Sequence, residues 1–256
     1  MRKMLAVLLT ALICFGCQKE NDNNSNTNPS SAHSCGSGNV HNPSKAYGSL
    51  KDIDGNTYKT IQIGNQEWMA ENLKTTKYSN GVSIPNITDD NEWRNSKTGA
   101  YCSYKNDMSN DCPYGKLYNW YAVVDTNKLC PTGWHVPADE EWKTLIVSLD
   151  STADFSNGDF KNTAGGQMKT AGTGYWLNSN KDGTNSSGFS GLPGGGRYDA
   201  FEDGPFSYKG RFGYWWSSTS TGVTSARYYY LYYGGGILDG LKFAQENGIS
   251  VRCVRD

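Results

Sequence analysis

The sequence predicts an α+β domain with two helices, small twisted antiparallel sheets and a long glycine-rich loop region. Two stretches carry the helical signal. Leu117, Trp120, Tyr121 and Val124, and again Trp142, Leu145, Ile146 and Leu149, fall at i, i+3, i+4, i+7, the spacing that lines one helical face. The segments 214–218, 226–233 and 249–255 are rich in Tyr, Trp, Ile and Val and are divided by glycine and polar turns, as strands are. Between helices and strands, residues 155–213 are punctuated by Gly165-Gly166, Gly172, Gly174, Gly183, Gly188, Gly191 and Gly194-Gly195-Gly196, a loop of a length that usually carries function.

In chain order, Arg2 and Lys3 precede an apolar run from Met4 to Phe15 that is too short to span a bilayer comfortably. The run ends at Gly16-Cys17. Residues 1–17 therefore resemble a bacterial lipoprotein signal, with Cys17 as the lipidated residue, although Cys14 stands where such signals usually have leucine. Residues 18–46, including NDNNSNTNPSS, hold few apolar side chains and read as a disordered polar tether to the membrane. Glu20 and Asp22 resemble the acidic tags that send some Bacteroidetes-type lipoproteins to the cell surface, diluted here by Lys19. The expected location is the cell envelope, lipid-anchored at the outer membrane. His33, Cys35 and His41 carry metal-ligating atoms, but in a flexible tether their spacing reads as accidental. No metal and no cofactor is expected.

The folded domain is expected over 47–256. Asp52-Ile53-Asp54-Gly55-Asn56 opens like a calcium loop, but its twelfth position is Ile63 rather than a bidentate glutamate, so a hairpin turn is the better reading. Ile61 and Ile63 alternate with polar residues and Gly64-Asn65 turns the chain again, giving a small meander. Residues 80–99 read as loop and 100–104 as a short strand. Cys102 and Cys112 are ten apart in sequence, a separation a disulfide can close. Cys130-Pro131-Thr132-Gly133-Trp134 breaks the two helices apart. Pro137 and the acidic run Asp139, Glu140, Glu141 suit the start of the second. In the final strand Ile249, Val251 and Cys253 alternate with Ser250 and Arg252, which predicts one buried face.

Composition excludes some classes. A formal net charge of −1 over 256 residues draws the chain neither to nucleic acid nor to an acidic membrane surface. Seventeen tyrosines against eight phenylalanines favour flat contact area with a polar tip, which suits a recognition surface as well as half-buried strand positions. The triple glycine lacks both the lysine of a phosphate loop and the spacing of a dinucleotide site.

Taken together, DIDGNTYKTIQIGNQEWMAENL, YGKLYNWYAV, LCPTGWHVPADEEWKTL, WWSSTS and the terminal SVRCVRD resemble the Fibrobacter succinogenes major paralogous domain over residues 47–256. That family is similar to the C-type lectin-like fold and, more distantly, to formylglycine-generating enzymes. The resemblance implies a disulfide from Cys130 to Cys253. With Cys102–Cys112 as a second pair, Cys35 is left either free or as an intermolecular link.

Three functions are weighed. A non-catalytic binding module would hold a glycan or a surface protein, with Tyr198, Phe201, Phe206 and Tyr208 of the glycine-rich region as candidate ligand-binding residues. Ile84-Pro85-Asn86 and Leu192-Pro193-Gly194 lack the carboxylate or amide that calcium-dependent lectins place before proline. An enzyme related to the formylglycine generators would need two reactive cysteines near the C-terminus, where Cys253 stands alone. His135 reads as structural, and Asp199, Glu202 and Asp203 are only neighbours in a loop. A structural subunit of a surface fibre or complex would use the Tyr/Trp strands as an interface. The binding module is the preferred reading.

Overall fold

The computed structural model describes residues 32–36, 38–177, 179–198 and 205–256. Cys17 with its signal, Phe201, and the carboxylates Asp199, Glu202 and Asp203 lie outside them.

The chain opens with the expected meander. Strand β1 (Gly48–Lys51) turns at Asp52–Asn56 into β2 (Thr57–Ile63), which turns at Gly64-Asn65 into β3 (Gln66–Met69). The Asp52 carboxylate accepts from the Asn56 amide at 2.8 Å and Gly55 takes a φ of 85°, so the acidic loop is a hairpin turn. Next come helix α1 (Asp90–Asn95), strand β4 (Tyr101–Cys102), the short turn α2 (Asp111–Tyr114), strand β5 (Leu117–Tyr118), helix α3 (Trp120–Val123) and strand β6 (Trp134–His135). Helices α4 (Asp139–Leu149) and α5 (Ala164–Met168) follow. The C-terminal part holds β7 (Gly196–Arg197), β8 (Phe206–Ser207), β9 (Phe212–Ser220), β10 (Ser225–Tyr232), β11 (Leu238–Ala244) and β12 (Val254–Arg255).

These strands form a five-stranded sheet in the order β1-β2-β3-β12-β6, a three-stranded sheet β11-β10-β9, and the pairs β4-β5 and β7-β8. Every pairing within these sheets is antiparallel. The architecture is therefore mixed α/β, mostly antiparallel, with short helices. The last strand sits between β3 and β6, so the chain's end closes the sheet that its beginning opened.

Side-chain alternation along β9 and β10 divides the interior. Trp215, Tyr229 and Leu231 point into a core with Trp68, Trp142, Phe189 and Leu238. Their neighbours Tyr214, Trp216 and Tyr228 point the other way, into a second core with Tyr118, Cys130, Tyr198 and Cys253. Helix α4 forms as predicted. Its buried stripe is Trp142, Leu145 and Ile146, and the Glu141 carboxylate accepts from the Ala138 amide at 2.8 Å, satisfying a donor at the helix start.

The first predicted helix is corrected. Leu117 and Tyr118 are a strand paired with Cys102 and Tyr101, and Tyr118 also donates to Ile249 at 2.9 Å. Only a single turn follows, because Asn119 caps it by accepting from the Ala122 amide. Apolar spacing over one turn was compatible with both structures. Within 80–99, read as loop, Asp89 caps α1 by accepting from the Glu92 amide at 2.8 Å. Strand β11 was not anticipated. The final segment buries both of its faces: Ser250 and Arg252 are as enclosed as Val251 and Cys253.

Cys130 and Cys253 are joined, with Cα atoms 6.0 Å apart. The Cys102–Cys112 pairing is corrected: Cys112 bonds to Cys35. Residues alternate sides on β4, and Cys102 takes the inward side among Ile87, Trp93, Tyr104 and Leu117, whereas Cys112 is half exposed. Burial pushes the Cys102 thiol up to about 12, against the opposing charge of Arg197. Cys35 in turn anchors chain that the sequence assigned to the tether. Residues 32–36 and 38–46 belong to the folded unit, with His33, Val40 and His41 buried.

Candidate functional site

A surface cleft of about 790 Å³ opens at one end of the three-stranded sheet. Tyr230 and Tyr232 of β10 and Phe160 supply aromatic walls; Lys181, Asp182 and Asp239 supply charge. The frame is held from beneath by Lys169. Its ammonium is buried and donates to the carbonyls of Lys181 at 2.5 Å, Gly235 at 2.8 Å and Tyr232 at 3.0 Å, tying the segment of Lys181 to the turn that follows β10. Burial lowers this amine to about 8, and the charge of Asp182 opposes the shift. Asn162 bridges both backbone groups of Leu238, at 2.9 and 3.1 Å. Gly165 lets α5 approach the rim: a Cβ there would lie 2.4 Å from the Ile237 carbonyl. These fixings make the cleft a preformed feature rather than a gap between loops.

The cleft runs into an aromatic sheet face. Across β9 and β10, Tyr232 stands opposite Phe212 and Tyr230 opposite Tyr214, with ring centroids 4.8 and 6.1 Å apart. The Tyr230 hydroxyl donates to Asp239 at 2.7 Å; burial and then that carboxylate raise its pKa. Phe212, Tyr230 and Tyr232 are half-buried, with one side toward solvent.

Two of the candidate ligand residues join this face. Tyr198 packs edge-on against Tyr208 and Tyr214, at 5.8 and 6.2 Å, but is only 4% exposed and belongs to the core. Tyr208 is half-buried beside Phe212 at 5.4 Å. Phe206 lies elsewhere, against Tyr104 and the Arg197 guanidinium, which Trp93 also covers. The glycine-rich segment 191–198 is buried throughout, so it forms interior rather than an exposed recognition loop. The sequence signal for the cleft was the run Tyr228 to Tyr233, read only as a strand.

A second polar centre is enclosed. Glu71 accepts from Ser34 through its amide at 2.8 Å and its hydroxyl at 2.5 Å, and lies 2.9 Å from His41 Nε2. His41 Nδ1 meets the Ser190 hydroxyl at 3.0 Å. The connectivity is that of a nucleophile relay, but Ser190 and its partners are buried, and in this state the relay acts as a lock on the N-terminal segment. Burial alone would raise the Glu71 carboxyl; the His41 bond, the charge of His33 and the Ser34 bonds outweigh it and hold the group to about 2.

His135 bridges Asp256 at 2.7 Å and Glu141 at 2.8 Å, a structural tie between the chain's end and α4. Burial pulls its pKa down, the two carboxylates pull it up, and the net shift is upward. A raised folded pKa stabilises fully below the ordinary value near 6.5 and is lost as pH rises through the folded value. His135→Ala is therefore expected to cost at most about 1 kcal/mol at pH 6, given its exposure, and less at pH 9. Urea midpoints of both chains at the two pH values check this.

The family model of the Fibrobacter succinogenes major domain matches residues 61–255. The chain belongs to that family. No curated protein and no solved structure matches it. The matched residues include the cleft, both aromatic faces of the sheet and Glu71, while the N-terminal segment with Cys35 and His41 precedes the matched part of this Fibrobacter succinogenes major domain. Among the described residues no helix is long and apolar enough to cross a membrane.

Proposed function

We propose that this protein is a cell-envelope lipoprotein, anchored at the outer membrane through Cys17, whose lectin-like domain binds a glycan without turning it over. The observation that carries the reading is the cleft: three aromatic walls beside Lys181, Asp182 and Asp239 on a preformed frame. A sugar offers both an apolar C–H face and a ring of hydroxyls. Aromatic rings take the first, and charged or amide groups take the second through hydrogen bonds. The short helices, the small antiparallel sheets and the return of the last strand to the opening hairpin support a lectin-like arrangement. The basic end of the signal, its apolar run and Gly16-Cys17 support the anchor. This reading moves the ligand contacts from Tyr198 and Phe206 to Tyr230, Tyr232 and Phe160.

The test is electrophoresis of the Cys17→Ser chain through gels containing host and plant polysaccharides. Retardation is expected in at least one gel, with the sugar recovered uncleaved. Tyr230→Ala/Tyr232→Ala should weaken it roughly tenfold or more, at about 0.5–1.5 kcal/mol for each stacked ring. Phe206→Ala should leave it unchanged. Retardation indifferent to the double substitution would remove the cleft from the reading, and cleavage of the sugar would make the protein an enzyme.

A further inference from the structure

Outside the cleft, one cluster of soft ligand atoms stands out. His33 Nδ1, Cys35 Sγ and Cys112 Sγ all lie within 4.8 Å of one another, with His33 Nδ1 2.9 Å from Cys35 Sγ. The two sulfurs are bonded to each other in this structure. His33 is enclosed, its side chain 2% exposed, and its Nε2 has no hydrogen-bond partner among the described residues. Burying an imidazole with one nitrogen unpartnered costs free energy, while the nitrogen that faces the sulfurs is Nδ1. Cys112 lines an open hollow of about 340 Å³ with Lys74, Met108, Asp111 and Lys116, so the disulfide is approached from solvent at Cys112.

We propose that the Cys35–Cys112 pair is a redox gate over a metal site, and that the dithiol form binds one soft divalent cation, such as Zn²⁺, through Cys35, Cys112 and His33. An external dithiol supplies two electrons and two protons; the Cys35–Cys112 bond breaks, two thiols form, and the donor leaves as its own disulfide. Binding of M²⁺ then releases two protons as both thiols become thiolates. Tetrahedral coordination with metal–sulfur distances of about 2.3 Å and metal–nitrogen distances of about 2.0 Å places donors roughly 3.5–4 Å apart. Breaking the bond between the sulfurs, with His33 Nδ1 2.9 Å from Cys35 Sγ, lets the three donors open to that spacing. A water from the Cys112 hollow fills the fourth position. Glu71, with Oε1 3.7 Å from His33 Nδ1, adds negative charge beside the site. His41 takes no part, since both its nitrogens are engaged by Glu71 and Ser190. The oxidised and metal-bound forms would each hold the N-terminal segment to the domain; the apo dithiol form would hold it by hydrogen bonds alone.

The probe is Co²⁺, which reports thiolate ligation by an intense near-ultraviolet charge-transfer band. The Cys17→Ser chain is reduced with a phosphine, desalted without oxygen and titrated. One equivalent should give the band, and Zn²⁺ should bleach it. The oxidised chain should give none. His33→Ala, which keeps the disulfide and can be purified folded in the oxidised form, should weaken Co²⁺ binding at least tenfold after reduction. Cys102→Ser and Cys130→Ser/Cys253→Ser should leave the band in place. A reduced chain without the band overturns the proposal. So does a band that survives Cys35→Ser/Cys112→Ser or that needs Cys130 and Cys253.

Discussion

Arg252→Met is expected to lower the unfolding free energy by about 3–5 kcal/mol, the range for removing one member of a buried charged network. The side chain is fully buried between the Phe189 and Trp215 rings, 4.1 and 5.4 Å from their centroids. Its Nε donates to Asn72 Oδ1 at 2.9 Å and its Nη2 to the Ser190 carbonyl at 3.0 Å, while Nη1 donates to the Phe189 carbonyl. Methionine preserves much of the volume, so the loss reports polar satisfaction rather than a cavity. Asn72 and the adjacent carbonyls of Phe189 and Ser190 each lose a donor, Asn72 Oδ1 keeping only the Trp215 indole at 2.8 Å. Burial lowers this guanidinium to about 9, and the charge of Glu71 opposes the shift. Arg252→Lys should recover only part of the loss, because one ammonium cannot match a fork aimed at three acceptors. The urea midpoint measures both. A change below 1 kcal/mol for the methionine variant would mean that water replaces the guanidinium, and the network would not be what joins the last strand to the core.

Arg252 also shows where the sequence stopped being informative. Alternation along Ile249 to Cys253 put Val251 and Cys253 inside, where they are, but the strand is confined to Val254–Arg255, and Ile249 and Ser250 form only isolated bridges. The same alternation placed Arg252 outside because polar residues usually are. The guanidinium is inside only because Asn72, Phe189 and Ser190 converge on it from far away in the chain, and no local pattern encodes that. The same limit explains the segment 117–124, where helical spacing was real but Asn119 and the Tyr118–Ile249 pairing divided it. Helix α4 was legible because eleven residues gave the period room to repeat and an acidic first turn marked its start. The opening meander was legible because glycine at positive φ marks its turns. The glycine-rich region was misread in part: Gly165, Gly166 and Gly191 to Gly196 lie in the interior, Gly165 permitting close approach under the cleft rim, while Gly172 and Gly174 are exposed. The cleft itself was hidden, since Phe160, Asp182, Tyr230 and Asp239 meet only through the pairing of β10 with an unanticipated β11.

Acidification is expected to loosen the N-terminal segment before the domain unfolds. His33 is held neutral: burial lowers its pKa to about 4, with Glu71 opposing and His41 adding to the shift. The unfolded or released segment binds a proton near 6.5, the folded one only near 4, so between these values the released form holds more protons. Stability therefore falls as pH falls through that window, and the shift corresponds to about 3 kcal/mol at its lower end. His41, also lowered by burial, adds a contribution of the same sign. Glu71 extends the loss further down, because a carboxyl depressed to about 2 stabilises fully above its ordinary value near 4.5 and loses that as pH falls. His135 does not mask the effect: with a raised pKa it is protonated in both states below 6.5 and contributes no slope there. The reporter is the Ser34 amide, which donates to Glu71 at 2.8 Å. After correction for intrinsic exchange, its hydrogen-exchange protection should drop roughly a hundredfold between pH 7 and pH 4. The Met69 amide, bonded to the Cys253 carbonyl at 2.9 Å in the sheet, should keep its protection. His33→Asn should flatten most of the Ser34 profile. Equal loss at Ser34 and Met69 would show that the segment and the domain open as one unit, and a flat profile in the unmodified chain would show that His33 carries a proton without leaving its place.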